Sequence, residues 1–242
     1  MGDQERAERE QADEPEIPVY DILNAGPRNR FTVSDVLVHN CGYQGGVGAM
    51  RAMDKGGTIP DEELQSVVDQ WRQANPKIVK MWKRYELAAQ TAIKEHRKVR
   101  LRCGVAYSYE NGNLFAQLPN GRRLCYWRAR IREDTRCFPR LFYLGVNQET
   151  KRWGEAETYG GKLVENVVQA TARDCLAEAM TRVSRMGYSI VMHVHDEMIV
   201  DVPREDRDAL QRINAAMSEP ISWAPGLPLR GDGYECDFYK KD

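Results

Sequence analysis

The feature that most restricts the fold is an alternating segment, residues 189–203, with the sequence Ser-Ile-Val-Met-His-Val-His-Asp-Glu-Met-Ile-Val-Asp-Val-Pro. Apolar and polar residues alternate before Asp196, and a second β-branched run follows Glu197. This period of two predicts two strands joined by a tight turn, with both carboxylates at the turn. Carboxylates fixed at a rigid turn are oxygen ligands of the kind that Mg²⁺ uses, although an acidic turn without a metal is the simpler interpretation of an isolated hairpin.

A helix is predicted over residues 162–185, with Asn166, Gln169 and Arg173 at spacings i, i+3 and i+7 on one face. Apolar residues are expected on the buried side, at positions 164, 168, 172, 175 and 179. Outward amides of this kind could meet the acceptors of a minor groove, or they could be solvated surface.

Other segments give simpler patterns. Two amphipathic helices are predicted from Asp61 onward, separated at Asn75–Pro76, and a surface helix is predicted over residues 204–217. A hairpin is predicted over residues 113–131, whereas residues 133–158 are predicted to be irregular. At the hairpin turn, Arg122 and Arg123 are candidates for phosphate contacts. A glycine-rich run, residues 41–48, surrounds Tyr43, which could stack on a base or pack tightly in the interior.

Composition excludes several classes of protein. The 242 residues are 42% hydrophobic and 29% charged, which is typical of a globular chain that buries a core. No apolar run approaches the roughly 20 residues of a membrane span, and the polar amino terminus is unlike a signal peptide. We therefore expect no membrane partner and a cytoplasmic location. The six cysteines form no Cys-x-x-Cys pair, so we expect free thiols.

In this order, the motifs resemble the carboxy-terminal half of the polymerase domain of family A DNA polymerases, the bacterial polymerase I group and its phage relatives. The resemblance covers residues 41–242 and rests on five segments: Gly42-Tyr43, Ile59-Pro60 with Glu63, residues 118–124, residues 159–174 and Val194–Glu197. It implies an α+β fold, mainly helical, in which part of the palm and fingers carries an antiparallel catalytic hairpin.

The resemblance also implies roles for individual residues. Asp196 and Glu197 would bind two Mg²⁺ ions, shared with a carboxylate of an upstream half, and His195 would lie near the primer terminus. The residues expected to contact primer-template DNA or the incoming dNTP are Tyr43, Asn166, Gln169, Arg173, Arg122 and Arg123. Glu165 stands where the family usually has asparagine. The first catalytic aspartate and the basic residues of the fingers helix should precede Tyr43, so we expect an upstream half to supply them.

The tetrapeptide Val38-His39-Asn40-Cys41 has its own chemistry. An asparagine amide can attack its own carbonyl and cut the following bond, a neighbouring histidine can transfer a proton, and a cysteine thiol is a nucleophile. Together with residues 19–33, it resembles the carboxy-terminal motif of inteins. The resemblance implies a Hint-type all-β fragment over residues 18–40. Asp21 would tune the branched intermediate, His39 would donate a proton, Asn40 would cyclise and Cys41 would accept the upstream acyl group.

We therefore expect three parts: a charged, disordered leader (residues 1–17), a carboxy-terminal intein fragment (18–40) and a polymerase fragment (41–242). Residues 2–17 carry a net charge of −5, which would attract a basic segment of the upstream half or serve only as a solubilising tail. The Met1 start predicts a split intein made as a separate polypeptide, active as a DNA-directed DNA polymerase only after splicing in trans. The alternatives are a non-catalytic nucleic-acid-binding subunit and a hydrolase that uses Asp196 and Glu197.

Overall fold

The computed structural model describes residues 31–33, 36–38, 43–54, 59–135, 137–147 and 150–239. The chain divides into two units, Met1–His39 and Asn40–Asp242. In the first unit, β1 (Phe31–Val33) pairs antiparallel with β2 (Val36–Val38), where the sequence predicted short strands. The leader and the four residues with predicted splicing roles, Asp21, His39, Asn40 and Cys41, lie outside the described residues.

The second unit combines helices and strands. Its described helices are α1 (Val47–Met53), α2 (Leu64–Ala74), α3 (Pro76–Glu95), α4 (Gly160–Arg185) and α5 (Ala209–Ser218). The predicted break between α2 and α3 is confirmed, because Pro76 occupies the first turn of α3, where its missing N–H is tolerated. Trp71 and Trp82 stack with ring centroids 5.9 Å apart and join the two helices.

A six-stranded antiparallel sheet lies between α3 and α4 in the sequence. Its strands pair in chain order: β3 (Val99–Arg100), β4 (Ala106–Glu110), β5 (Asn113–Gln117), β6 (Arg123–Glu133), β7 (Pro139–Val146) and β8 (Trp153–Thr158). The predicted β5–β6 hairpin is confirmed, but the prediction of irregular structure over residues 133–158 is wrong. Strand β8 contains a glycine and two glutamates, which are poor strand formers, and it is extended because its backbone pairs with β7.

The inner face of this sheet packs against α3 and α4. Ala129 and Leu141 of the sheet are buried together with Ala89 of α3 and with Leu163 and Val167 of α4. The predicted buried side of α4 is therefore only partly correct, because its buried positions are 160, 161, 163, 164, 167, 176, 179 and 183. The stripe shifts along α4 because its first half packs on the sheet, whereas Val183 packs on a second cluster.

The last elements form that second cluster. The hairpin β9 (Ser189–Val194) and β10 (Glu197–Asp201) packs beside α4, and Val183 is buried with Ile213 and Ala216 of α5. The predicted surface helix 204–217 is thus shorter and partly buried. Residues 204–208 form turns, in which the hydroxyl of Tyr188 donates to Asp206 at 2.8 Å. Within the described ranges, no helix is long and apolar enough to cross a membrane.

Candidate active site

The hairpin places Asp196 at the turn, as the sequence predicted, but Glu197 lies one residue beyond it at the start of β10. Glu197 is paired with Val194, so the connecting loop is two residues long, His195–Asp196. Asp196 is exposed at this turn, whereas Glu197 is the first residue of β10 and is half-buried. His195 has a φ of 51°, a left-handed conformation that two-residue hairpin loops require and that histidine adopts at some cost. The carboxylates are thereby fixed by the register of the hairpin.

The two carboxylates are candidate ligands for Mg²⁺. Mg²⁺ commonly takes one or two protein carboxylates and completes its octahedron with water and substrate phosphates. Among the residues that the structure describes, no group of three or more His, Cys, Asp or Glu side chains could hold a metal ion. Asp196 and Glu197 could therefore supply at most part of the ligands of an Mg²⁺ ion.

Helix α4 contacts the hairpin at His193, a residue to which the sequence analysis gave no role. The guanidinium of Arg173 donates to Nε2 of His193 on β9 at 3.1 Å. One helical turn earlier, the exposed amide of Gln169 donates to Glu165 at 3.4 Å. Burial raises the pKa of the Glu165 carboxyl, and the nearby Lys162 opposes that rise. His193 thus links the predicted polar stripe of α4 to the hairpin.

Asn166 does not share the outward direction predicted for it. Its amide donates to the hydroxyl of Tyr126 at 3.1 Å, and Tyr126 is buried in the sheet. Burial raises the pKa of Tyr126, so its hydroxyl remains neutral and available as an acceptor. The exposed stripe is therefore limited to Gln169 and Arg173, while Asn166 ties α4 to the sheet.

Arg122 and Arg123 do not form one phosphate clamp, because consecutive residues beside a strand point in opposite directions. Arg122 donates to Asp174 at 2.8 Å and to the carbonyl of Ala170 at 3.1 Å, which ties the β5–β6 turn to α4. Arg123 instead donates to Glu110 at 3.1 Å and covers the ring of Phe115. Only Arg122 lies beside the helix that carries Arg173.

Tyr43 lies against the amino end of α4. A Cβ atom at Gly161 would be 2.3 Å from the carbonyl oxygen of Tyr43, so only glycine permits this approach. The side-chain oxygen of Gln44 accepts from the N–H of Gly161 at 2.8 Å, and the Glu86 carboxylate accepts from the N–H of Gly160 at 3.2 Å. Tyr43 is consequently fixed on the helix that carries Gln169. No sequence pattern predicts the roles of Gln44 and Glu86, although the Gly160–Gly161 pair indicates that another segment of backbone approaches α4 closely.

Comparison with known proteins adds an independent finding. The chain is 47% identical over 230 residues to a protein named DNA polymerase from Bacillus phage SP02, and the match covers 93% of this chain. It covers 35% of the relative, so this chain spans about a third of the length of that polymerase. No family model matches the chain, and no solved structure matches it.

This similarity supports the expected relationship of the chain to a phage DNA polymerase. The match is longer than residues 41–242, so its alignment includes part of residues 1–40. The similarity therefore does not separate residues 1–40 from the polymerase-related part, and the boundary at Cys41 stays a prediction from the splicing motif.

Proposed function

We propose that residues 41–242 are the downstream part of a family A DNA polymerase, which adds nucleotides to a primer under the direction of a template. The main support is the two-residue turn that presents Asp196 beside Glu197, next to a helix whose Arg173 contacts the hairpin strand. The similarity to the SP02 polymerase gives this geometry its chemical context.

In the proposed enzyme, Asp196 and Glu197 hold Mg²⁺ together with a carboxylate of the upstream half. When bound, two ions would stabilise the charge that develops on the attacking and leaving oxygens. Gln169 and Arg173 are exposed donors suited to the primer-template, and Arg122 offers its remaining N–H groups to a phosphate. His195 adjoins the primer end. Tyr43, next to the Gln44–Gly161 hydrogen bond, packs under the new base pair in this proposal.

The proposal includes the delivery of the upstream half by protein splicing. The thiol of Cys41 attacks the thioester or ester that joins the upstream half to its own intein fragment, and the first residue of that fragment leaves as a thiol or alcohol. The Asn40 side-chain nitrogen then attacks the main-chain carbonyl of Asn40. The bond between Asn40 and Cys41 breaks. The freed amine of Cys41 then takes the acyl group from its own sulfur, which forms the peptide bond and regenerates the thiol. His39 donates a proton to the departing amine, while Asp21 tunes the preceding step. Strand β2 ends at Val38, directly before these residues.

Mixing the full chain with upstream polypeptides encoded near it tests both parts of the proposal. Mass spectrometry should detect a released peptide of residues 1–40 and a larger ligated product, and that product should extend a primer with Mg²⁺ and dNTPs. The Asn40→Ala variant should fail to release the peptide. The Asp196→Asn variant should splice normally but fail to extend the primer.

Each other outcome contradicts a separate part. DNA binding without extension by the ligated product would favour a non-catalytic subunit, and strand cleavage without nucleotides would favour a hydrolase. Release of the leader by Asn40→Ala would refute the splicing mechanism and leave the polymerase proposal to be judged on extension alone.

A further inference from the structure

The face of the six-stranded sheet that points away from α3 and α4 exposes large apolar side chains. Trp127 is 46% exposed, Val146 49% and Trp153 62%. Trp127 pairs with Leu144 across β6 and β7, and Val146 pairs with Trp153 across β7 and β8. Since paired residues share a face, these side chains form one surface, here called the outer sheet face. Contiguous exposed apolar surface of this kind marks an interaction site.

A β-bulge brings Trp127 to this face. The register of β6 against β7 shifts between Trp127 and Arg130, and Arg128 within the shift has a φ of 49°. Tyr126 and Ala129, on either side of the bulge, are both buried at the inner face. Without the extra residue, strict alternation would put Trp127 and Ala129 on the same side. The bulge thus lets β6 fill the core and still present an indole outward.

The outer sheet face also carries charged side chains. Glu155 pairs with both Arg130 and Arg132, so one carboxylate faces two guanidinium groups and positive charge remains. Arg128 follows Trp127 in the sequence, and Lys151 and Arg152 precede Trp153. All three are exposed, and within the described residues none of them has an ion pair. The Glu155 group on the outer sheet face therefore has one positive charge in excess, whereas Arg140 further along is balanced by Asp134 and Glu157.

Arginine also covers aromatic rings further along the same face. The guanidinium of Arg132 lies 4.2 Å from the ring centroid of Phe142, and that of Arg123 lies 4.4 Å from the ring centroid of Phe115. Guanidinium planes, like aromatic rings, are surfaces on which nucleic-acid bases stack. The alternation of rings and cations thus continues from β8 to β5.

We propose that the outer sheet face binds single-stranded DNA, with unpaired bases on Trp127 and Trp153 and phosphates on the adjacent cations. Aromatic rings accept every base by stacking, and a basic groove or face follows the backbone. Bases in a duplex are already stacked and cannot lie on these rings, so the face should prefer single strands. Charge complementarity favours a polyanion over a protein partner as its occupant. The binding needs neither splicing nor magnesium and is measurable on the unspliced chain.

Fluorescence anisotropy of a labelled oligothymidine, about 20 nucleotides long, tests the proposal on the full chain. Replacement of either tryptophan by alanine should raise the Kd about 5- to 150-fold, the range expected for the loss of one base–aromatic stack. The Trp153→Phe variant keeps a ring and should recover most of the affinity. Affinity should fall steeply with added salt.

Matched variants separate this face from the rest of the chain. Phe238→Ala removes an exposed ring elsewhere, and Lys83→Gln removes an exposed cation of α3; both should leave the Kd unchanged, whereas Arg152→Gln should raise it. An unchanged Kd in a Trp127→Ala, Trp153→Ala double variant that unfolds in urea like the parent would overturn the proposal. Equal affinity of the parent chain for duplex and single-stranded DNA would also overturn it. So would a double variant that no longer associates with the upstream half but keeps its affinity for DNA.

Discussion

Replacement of Gly161 by alanine should destabilise the second unit, and the effect should be large for the addition of one methyl group. The added Cβ would lie 2.3 Å from the carbonyl oxygen of Tyr43 and 2.5 Å from Cβ of Gln44. Because the nearer atom is backbone, α4 or the Tyr43 segment must move by about 1 Å to restore ordinary contact. Overpacking of this kind costs about 1–3 kcal/mol.

Two smaller contributions adjust that value. Movement would weaken the 2.8 Å hydrogen bond from Gly161 to Gln44, whose net contribution is about 1 kcal/mol. Alanine in a helix gains at most about 1 kcal/mol over glycine, and less in a first turn. We therefore expect the free energy of unfolding to fall by about 2–3 kcal/mol. Each kcal/mol corresponds to a fall of about 2–4 °C in Tm for a unit of this size.

Urea unfolding followed by tryptophan fluorescence measures this change. All five tryptophans lie between residues 71 and 223, so the signal reports on the second unit alone. Gly48→Ala is the matched control, because it is also a helical glycine but its added Cβ would meet nothing within 4 Å. It should be neutral or stabilising by up to about 1 kcal/mol. Equal midpoints for Gly161→Ala and Gly48→Ala would refute the close approach of Tyr43 to α4.

Three further outcomes are expected. Asp196→Asn should lower primer extension by the ligated enzyme at least about 100-fold, because metal ions contribute several kcal/mol to the transition state, whereas the hairpin control Asp201→Asn should extend normally. In urea unfolding, Tyr107→Phe should leave the free energy of unfolding unchanged or raise it, since the hydroxyl of Tyr107 is buried without a hydrogen-bond partner among the described residues. Tyr126→Phe should lower it by about 1 kcal/mol, because the hydrogen bond from Asn166 is lost. A greater loss of stability in Tyr107→Phe than in Tyr126→Phe would contradict this. Burial, with a smaller contribution from Cys103, raises the pKa of Tyr85 to about 12. The unfolded chain then releases its proton first, so the unfolding free energy should fall as pH rises from about 10 to 12, and Tyr85→Phe should flatten that fall.

Secondary structure could be predicted from the sequence where residues close together in the chain determine it. The hairpin around Asp196 follows from alternation within 15 residues, and the α2–α3 break follows from Pro76. Strand β8 could not be predicted in this way, because its Gly-Glu-Ala-Glu segment is extended only through pairing with β7. The buried stripe of α4 was misplaced for the same reason, since two different partners cover its two halves.

The candidate site shows the same division. Asp196 and Glu197 are local features of one turn, so their position was predictable. The partners of the α4 residues are distant in sequence: His193 lies 20 residues after Arg173, and Tyr126 lies 40 residues before Asn166. Two hydrogen-bonding side chains so far apart leave no periodic signal in one sequence. The separation of Arg122 from Arg123 was accessible in principle, because neighbouring strand residues face opposite sides.

Helix α4 is the element through which the candidate groups are positioned relative to one another. Its amino end receives Gln44 and Glu86, its middle receives Tyr126 and Arg122, and Arg173 reaches the hairpin. A 26-residue helix is about 39 Å long and behaves as a stiff rod. Displacement at Gly161 should therefore move the exposed stripe and the hairpin contact together, whereas a change at the hairpin turn should remain local. A Gly161→Ala enzyme that loses DNA affinity and an Asp196→Asn enzyme that keeps it would be the corresponding pair of results.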